Sequence, residues 1–225
     1  MDAPYEDTSR AAGYPVGIVV PAATENRNRL TTLFRFFLAI PHILLVGGPV
    51  AASAWIGWNS HDSWDWGWGS GTGLLGMVAC FAAAISWLVI VVTGRHPQSL
   101  YDLAAYYLRW RVRAISYLTL LRDEYPPFGD DAYPAQLELA PPAGERDRLT
   151  VLLRFFFALP HLFLLALLGV LWAFTTAAAW VMILVTGRYP EALYGFAIGV
   201  LAWDTRVEAY MLMLTDEYPP FTLRV

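Results

Sequence analysis

Thr186-Gly187-Arg188-Tyr189-Pro190 and, further on, Asp216-Glu217-Tyr218-Pro219-Pro220-Phe221 bracket the stretch that decides the fold, because that stretch occurs twice. Thr93-Gly94-Arg95-His96-Pro97 opens the earlier copy and Asp123-Glu124-Tyr125-Pro126-Pro127-Phe128 closes it, both displaced by 93 positions, so no residue is gained or lost between them. Working outward, Arg148-Leu149-Thr150 through Ala158-Leu159-Pro160-His161 repeats Arg29-Leu30-Thr31 through Ala39-Ile40-Pro41-His42, now at a displacement of 119. Tyr133-Pro134 repeats Tyr14-Pro15 at the same 119. The 26-residue difference lies between the His and the Thr-Gly-Arg of the first copy, around a loop, 58–73, rich in Trp, Gly, Ser and Asp. The chain is a tandem duplication, with a polar tail (1–13) read as disordered, a first repeat (14–128) and a second (129–225).

The duplicated unit is suited to a membrane. Apolar residues make up 57% of the 225 and charged ones 15%, against about 45–50% and about 25% in soluble domains, and the mean hydropathy is +0.43. The net charge of −4 and the absence of a basic patch exclude nucleic acid as a partner. All fifteen basic residues are Arg. The lone cysteine, Cys80, sits in an apolar run and reads as a small buried residue. The apolar runs 30–57 and 74–92 each reach the roughly 20 residues that cross a bilayer core. In the second copy the run 149–185 is undivided. It reads as a hairpin of two short helices bent near Gly169; the alternative is one helix kinked at Pro160 that crosses once.

The expected fold class is an all-α integral membrane protein of two repeats, each a transmembrane helical hairpin followed by an amphipathic helix (98–121 and 191–214). These amphipathic helices are read as lying in the interface, the alternative being spans with a buried polar centre. The short runs at Tyr14 and Tyr133 read as strands outside the bilayer, one from each repeat, able to pair. Loop 58–73 has no Arg, and the arginines gather at the other ends of the expected hairpins. By the positive-inside rule that face is cytoplasmic and the loop is extracytoplasmic, in a multi-pass membrane protein.

Three groups of residues are candidates for more than packing. Arg35 and His42 share a helix face seven residues apart, as do Arg154 and His161, next to prolines that free a backbone carbonyl; polar groups there are candidates for binding lipid headgroups. Arg95 and Arg188 end a helix, while the pairs Asp123-Glu124 and Asp216-Glu217 end the next one, the wrong end for the helix dipole, so the arginines are expected to supply the partners. Arg111 and Asp204 are equivalent positions of opposite sign and are expected to meet across a pseudo-two-fold axis. No nucleophile motif or metal-ligand spacing is present, so neither catalytic residues nor cofactors are expected.

Taken together, Arg-Phe-Phe-x-Ala-Leu/Ile-Pro-His, Thr-Gly-Arg-Tyr/His-Pro and Asp-Glu-Tyr-Pro-Pro-Phe resemble a bacterial, mainly actinobacterial, family of integral membrane proteins classed as a domain of unknown function. The resemblance covers both copies and implies an envelope membrane protein with no established activity. The expected role is a non-enzymatic scaffold or accessory subunit that binds membrane lipids or another envelope protein. The alternative is a small transporter or lipid-handling protein with its site at the repeat interface.

Overall fold

The computed structural model describes residues 14–49, 73–129, 131–140 and 146–225. The tail 1–13 and loop residues 58–72 lie outside them. The described residues form, in order, β1 (Val16–Val19), α1 (Arg29–Val46), α2 (Gly73–Thr93), α3 (Gln98–Leu118), β2 (Gln136–Leu139), α4 (Arg148–Thr186) and α5 (Glu191–Met211). The fold is mostly helical with one small sheet. α1, α2 and α4 are each long and apolar enough to cross a membrane.

The repeats differ in their long helix. α4 is one helix of 39 residues, about 58 Å at 1.5 Å per residue. It runs through both Pro160 and Gly169, so the hairpin expected in the second copy is not there. Gly169 belongs to the buried stripe Val151, Arg154, Ala158, His161, Leu165, Gly169, Trp172, Ala179 and Ile183. That spacing of three and four residues describes one helix face pressed against a neighbour throughout. Pro160 leaves the Phe156 carbonyl without its usual donor, and the Tyr218 hydroxyl donates to the adjacent carbonyl, Phe157 O, at 3.1 Å.

α1 and α2 do not form a hairpin either. Trp180 Nε1 at the end of α4 donates to Thr32 O in α1, while Trp87 Nε1 in α2 donates to Val151 O at the start of α4, both at 3.0 Å. Val151 and Trp180 lie about 44 Å apart along α4, so α1 and α2 must reach a similar distance end to end. They are stacked, with the Cα of Gly73 set against the backbone of Leu45 and Gly47. Their 18 and 21 residues together match the 39 of α4. The molecule is therefore built on two antiparallel rods, one continuous and one broken in the middle, with the 26-residue insertion leaving from the break. The arginines gather at both ends of the rods as a result, which corrects the expectation of one arginine-bearing end. Arg27 N donates to Gly187 O at 2.9 Å at one end, and Arg146 N to Gly94 O at 3.4 Å at the other.

Local sequence explains where the rods begin and stop. Asn28 and Asp147 are equivalent N-caps, accepting from Leu30 N and Thr31 N, and from Leu149 N. Thr-Gly-Arg is a helix stop: Gly94 and Gly187 take φ of 73° and 76°, and each Thr hydroxyl accepts the following Arg N–H at 3.2 Å.

α3 and α5 run back along the rods and are the most buried helices. From Val112 to Leu118 every residue of α3 is buried, and from Gly199 nearly all of α5. They are internal elements; the reading of them as surface amphipathic helices does not hold, because the sheet and the segments ending at Gly129 and Val225 cover the side turned away from the rods. β1 rests on α5 and β2 on α3. The strands pair antiparallel, as expected from their sequences, in the register Val16↔Leu139, Gly17↔Glu138, Ile18↔Leu137 and Val19↔Gln136. Ile18 and Leu137 are equivalent positions of the two repeats, and on either side of them the partners exchange roles. A pseudo-two-fold axis therefore passes through this pair, normal to the sheet. The same axis exchanges the Trp87–Val151 and Trp180–Thr32 contacts, so it crosses the rods at mid-length.

Candidate functional site

The recurring motifs converge on two equivalent constellations, one per repeat. In the first, Asp123 receives Arg27 Nη2 at 2.7 Å and Arg35 Nη2 at 2.5 Å. In the second, Asp216 receives Arg154 Nη2 at 2.6 Å and, on the side of its other oxygen, is ion-paired with Arg146. The Arg35 guanidinium lies 4.5 Å from the Tyr117 ring centroid and that of Arg154 4.3 Å from Tyr210, a cation–π contact strengthened by burial. Arg35 also donates to Tyr117 O and Arg122 O, and Arg154 to Tyr210 O.

The arrangement holds an awkward turn. α3 and α5 are followed by Leu120 and Met213, equivalent residues with φ of 69° and 63°, a left-handed conformation costing non-glycine residues about 1–2 kcal/mol. Arg27 Nη2 donates to Leu120 O at 2.5 Å and Arg146 Nη2 to Met213 O at 2.9 Å. Burial draws the Arg27 pKa down while Asp123 pushes it back up.

The turn sends Asp-Glu-Tyr-Pro-Pro-Phe back over the histidine. Phe128 stacks on His42 with ring centroids 4.6 Å apart, and Phe221 on His161 at 3.9 Å. Tyr125 and Tyr218 pack alongside at 5.0 and 4.9 Å. Trp110 Nε1 donates to His42 Nδ1 at 3.2 Å and Trp203 Nε1 to His161 Nδ1 at 3.0 Å. Both histidines are buried and enclosed by aromatic rings. His42 and His161 thus sit in separate boxes, one in each repeat, rather than facing each other.

The arginines expected to neutralise the acidic pairs do not do so. Arg188 lies 3.9 Å from Glu25, both exposed. Glu124 pairs with Arg122, Glu217 N–H bonds the Thr215 hydroxyl, and the aspartates are taken by arginines from the start of the rods. The Arg111–Asp204 approach is present but loose, at 3.8 Å; the nearer partner of Arg111 is Glu208, with Nε–Oε2 at 2.6 Å. Tyr107 donates to Glu208 at 2.9 Å, and Arg111 Nη1 donates to Val46 O and Gly48 O, both at 3.0 Å. Burial pushes the Asp204 carboxyl up to about 7, against the pull of Arg111.

A family model described as "Domain of unknown function (DUF4389)" matches residues 72–129 and 148–222. The chain belongs to this family. The second match takes in the whole of α4 and α5; the first begins where the broken rod resumes. Two copies of DUF4389 thus stand in tandem, each containing a Thr-Gly-Arg stop and an Asp-Glu-Tyr-Pro-Pro-Phe return. Comparison with curated proteins and with solved structures gave no match.

Arg27, Arg146, Trp110, Trp203, Phe128 and Phe221 are the constellation members that sequence reasoning passed over. Each has its counterpart at the displacement of 93 or 119, which is the signal that marks them. Glu208 has no such signal, because its counterpart is Ile115.

Proposed function

We propose that this protein is a non-enzymatic membrane scaffold, anchored in the bilayer by its rods and binding lipid headgroups or an envelope partner protein through the rest of its surface. The distribution of exposed apolar side chains carries this reading. Phe36, Phe37, Leu44, Leu74, Phe81, Val92, Phe156, Phe163, Leu167, Phe174 and Val185 are each more than half exposed on the rods, whereas no large apolar side chain of α3, α5 or the sheet is exposed. An apolar surface of this extent is far larger than the few hundred Å² that soluble monomers show. The motif residues, meanwhile, are engaged with one another in holding the fold. A transport site at the repeat interface would need His42 and His161 to line a common cavity, and their aromatic enclosures give that alternative no support.

The test is fractionation and co-purification of the full chain expressed in a bacterium. The protein is expected to stay in the pellet after alkaline carbonate extraction, and to carry the same lipid class or envelope protein through purification in a mild detergent. Release by carbonate would overturn the reading.

A further inference from the structure

Building on that anchoring, we infer that the rods do not cross the bilayer but lie along it, sunk into one leaflet of a membrane containing anionic phospholipid, with the pseudo-two-fold axis along the membrane normal. Three observations lead there. The first is length. The apolar rods are about 58 Å long, and a hydrocarbon core is about 30 Å thick. A centred crossing would require a tilt of about 60°, outside the 0–40° that spanning helices adopt.

The second is the sheet. It lies on the pseudo-two-fold axis, which meets the rods at mid-length. In a centred crossing, mid-length coincides with the bilayer midplane. The sheet would then sit at the most apolar depth, with both outer edges unpaired among the described residues and Gln136 and Glu138 exposed. Open sheet edges do not occur in hydrocarbon, and a carboxylate there is costly. With the axis along the normal, the rods form the membrane layer, α3 and α5 the middle, and the sheet the water-facing layer.

The third is charge. Arg29 and Arg188 are exposed at one end of the rods, and Arg148 and Arg95 at the other; the Arg29 guanidinium lies beside Gly187 and that of Arg148 beside Gly94. Lying flat, all four meet the same headgroup layer, flanking an apolar surface as in interfacial helices. An anionic leaflet complements these four guanidinia, of which Arg188 has only the loose pairing with Glu25 at 3.9 Å, whereas a second copy of the chain docked on this face would set the guanidinia against one another.

The experiment uses the full chain with Cys80→Ala and single cysteines introduced in turn, in vesicles containing phosphatidylglycerol. Fluorophores at Phe156→Cys, Phe163→Cys and Phe174→Cys are quenched by lipids labelled at graded depths. The expected result is one common depth in one leaflet for all three; rods along the normal would instead spread positions 156 and 174 over about 27 Å. In intact cells and inverted membranes, an impermeant maleimide should reach Arg95→Cys, Arg188→Cys and Glu138→Cys from the same side. Labelling of 95 and 188 from opposite sides, or a graded depth, overturns the inference while leaving the anchoring intact. Failure of the vesicles to carry the protein on flotation fails the anchoring itself and the orientation with it.

Discussion

The first repeat breaks its rod and the second does not, and one pair of equivalent residues accounts for how both are tolerated. After Val46 the chain turns out through Gly47 (φ 78°) and the helix resumes at Gly73 (φ 69°). A helix end leaves up to four carbonyls without donors, and this one is buried. Arg111 fills the need by donating to Val46 O and Gly48 O. In the second repeat the helix continues through the corresponding point, so no such carbonyls are free, and the position equivalent to Arg111 is Asp204. That carboxylate, together with Glu208, faces Arg111 from across the repeat interface. An insertion of 26 residues is thus accommodated at a buried break in the rod by one cation on the next helix and two carboxylates from the other repeat.

Where the repeats agree, they should fail alike, and here the largest effects are expected. Asp123→Asn and Asp216→Asn each leave two buried arginines without their carboxylate, a loss of about 3–5 kcal/mol by the behaviour of broken buried ion pairs. Thermal unfolding in detergent should show similar losses for the two variants. A markedly milder effect in one repeat would break the claim that the constellations are equivalent.

Where the repeats differ, Arg111→Met should cost about 2–4 kcal/mol, since it strands Glu208 as well as the carbonyls of the broken rod. Excising residues 47–72 to join Val46 to Gly73 sharpens the comparison. The joined rod has no free carbonyls at that point, so Arg111→Met should cost about 1–3 kcal/mol less in that background. An identical penalty in both backgrounds would show that Arg111 does not serve the break.

The aromatic boxes should matter less. His42→Leu and His161→Leu keep most of the packing but remove the acceptor of a tryptophan N–H, so each should lose about 1–2 kcal/mol. The loss should reverse when Trp110→Phe or Trp203→Phe is added in the same repeat and not in the other. Melting temperatures of the two single histidine variants and the four double variants check this.

Much of this comparison was legible in the sequence. Constant displacements of 93 and 119 located the duplication and the insertion, and the short runs at Tyr14 and Tyr133 read as strands able to pair. The course of the long runs was not legible. An apolar stretch of 37 residues reads equally as a hairpin or as one rod, because periodicity records which face is buried and not where a chain turns back. Gly169 reads as the bend of a hairpin, yet the helix passes it as it passes Pro160, where Tyr218 bonds the adjacent carbonyl from far along the chain. The arginine partners were misplaced for a similar reason. Asp123 lies closer in sequence to Arg95 than to Arg27 or Arg35, and only the folding of α3 back along the rod brings the latter two to it.

The last expected effect concerns pH and tests the axis where the repeats meet. Asp204 faces Arg111 and Glu208, and burial raises its pKa to about 7 from the 3.8 of an ordinary aspartate. Between those values the folded protein holds a proton that the unfolded chain has released, so the stability linked to Asp204 is complete below about pH 4 and is lost as the pH rises through about 7. Asp204→Asn cannot titrate, and its melting temperature should therefore fall less steeply over that interval than that of the parent. Since Arg111, the first repeat's opposing residue, pulls the carboxyl down, Arg111→Met should push the parent's transition to higher pH. Parallel pH profiles for the parent and Asp204→Asn would mean that Asp204 stays ionised throughout, with Arg111 balanced by two full negative charges rather than one.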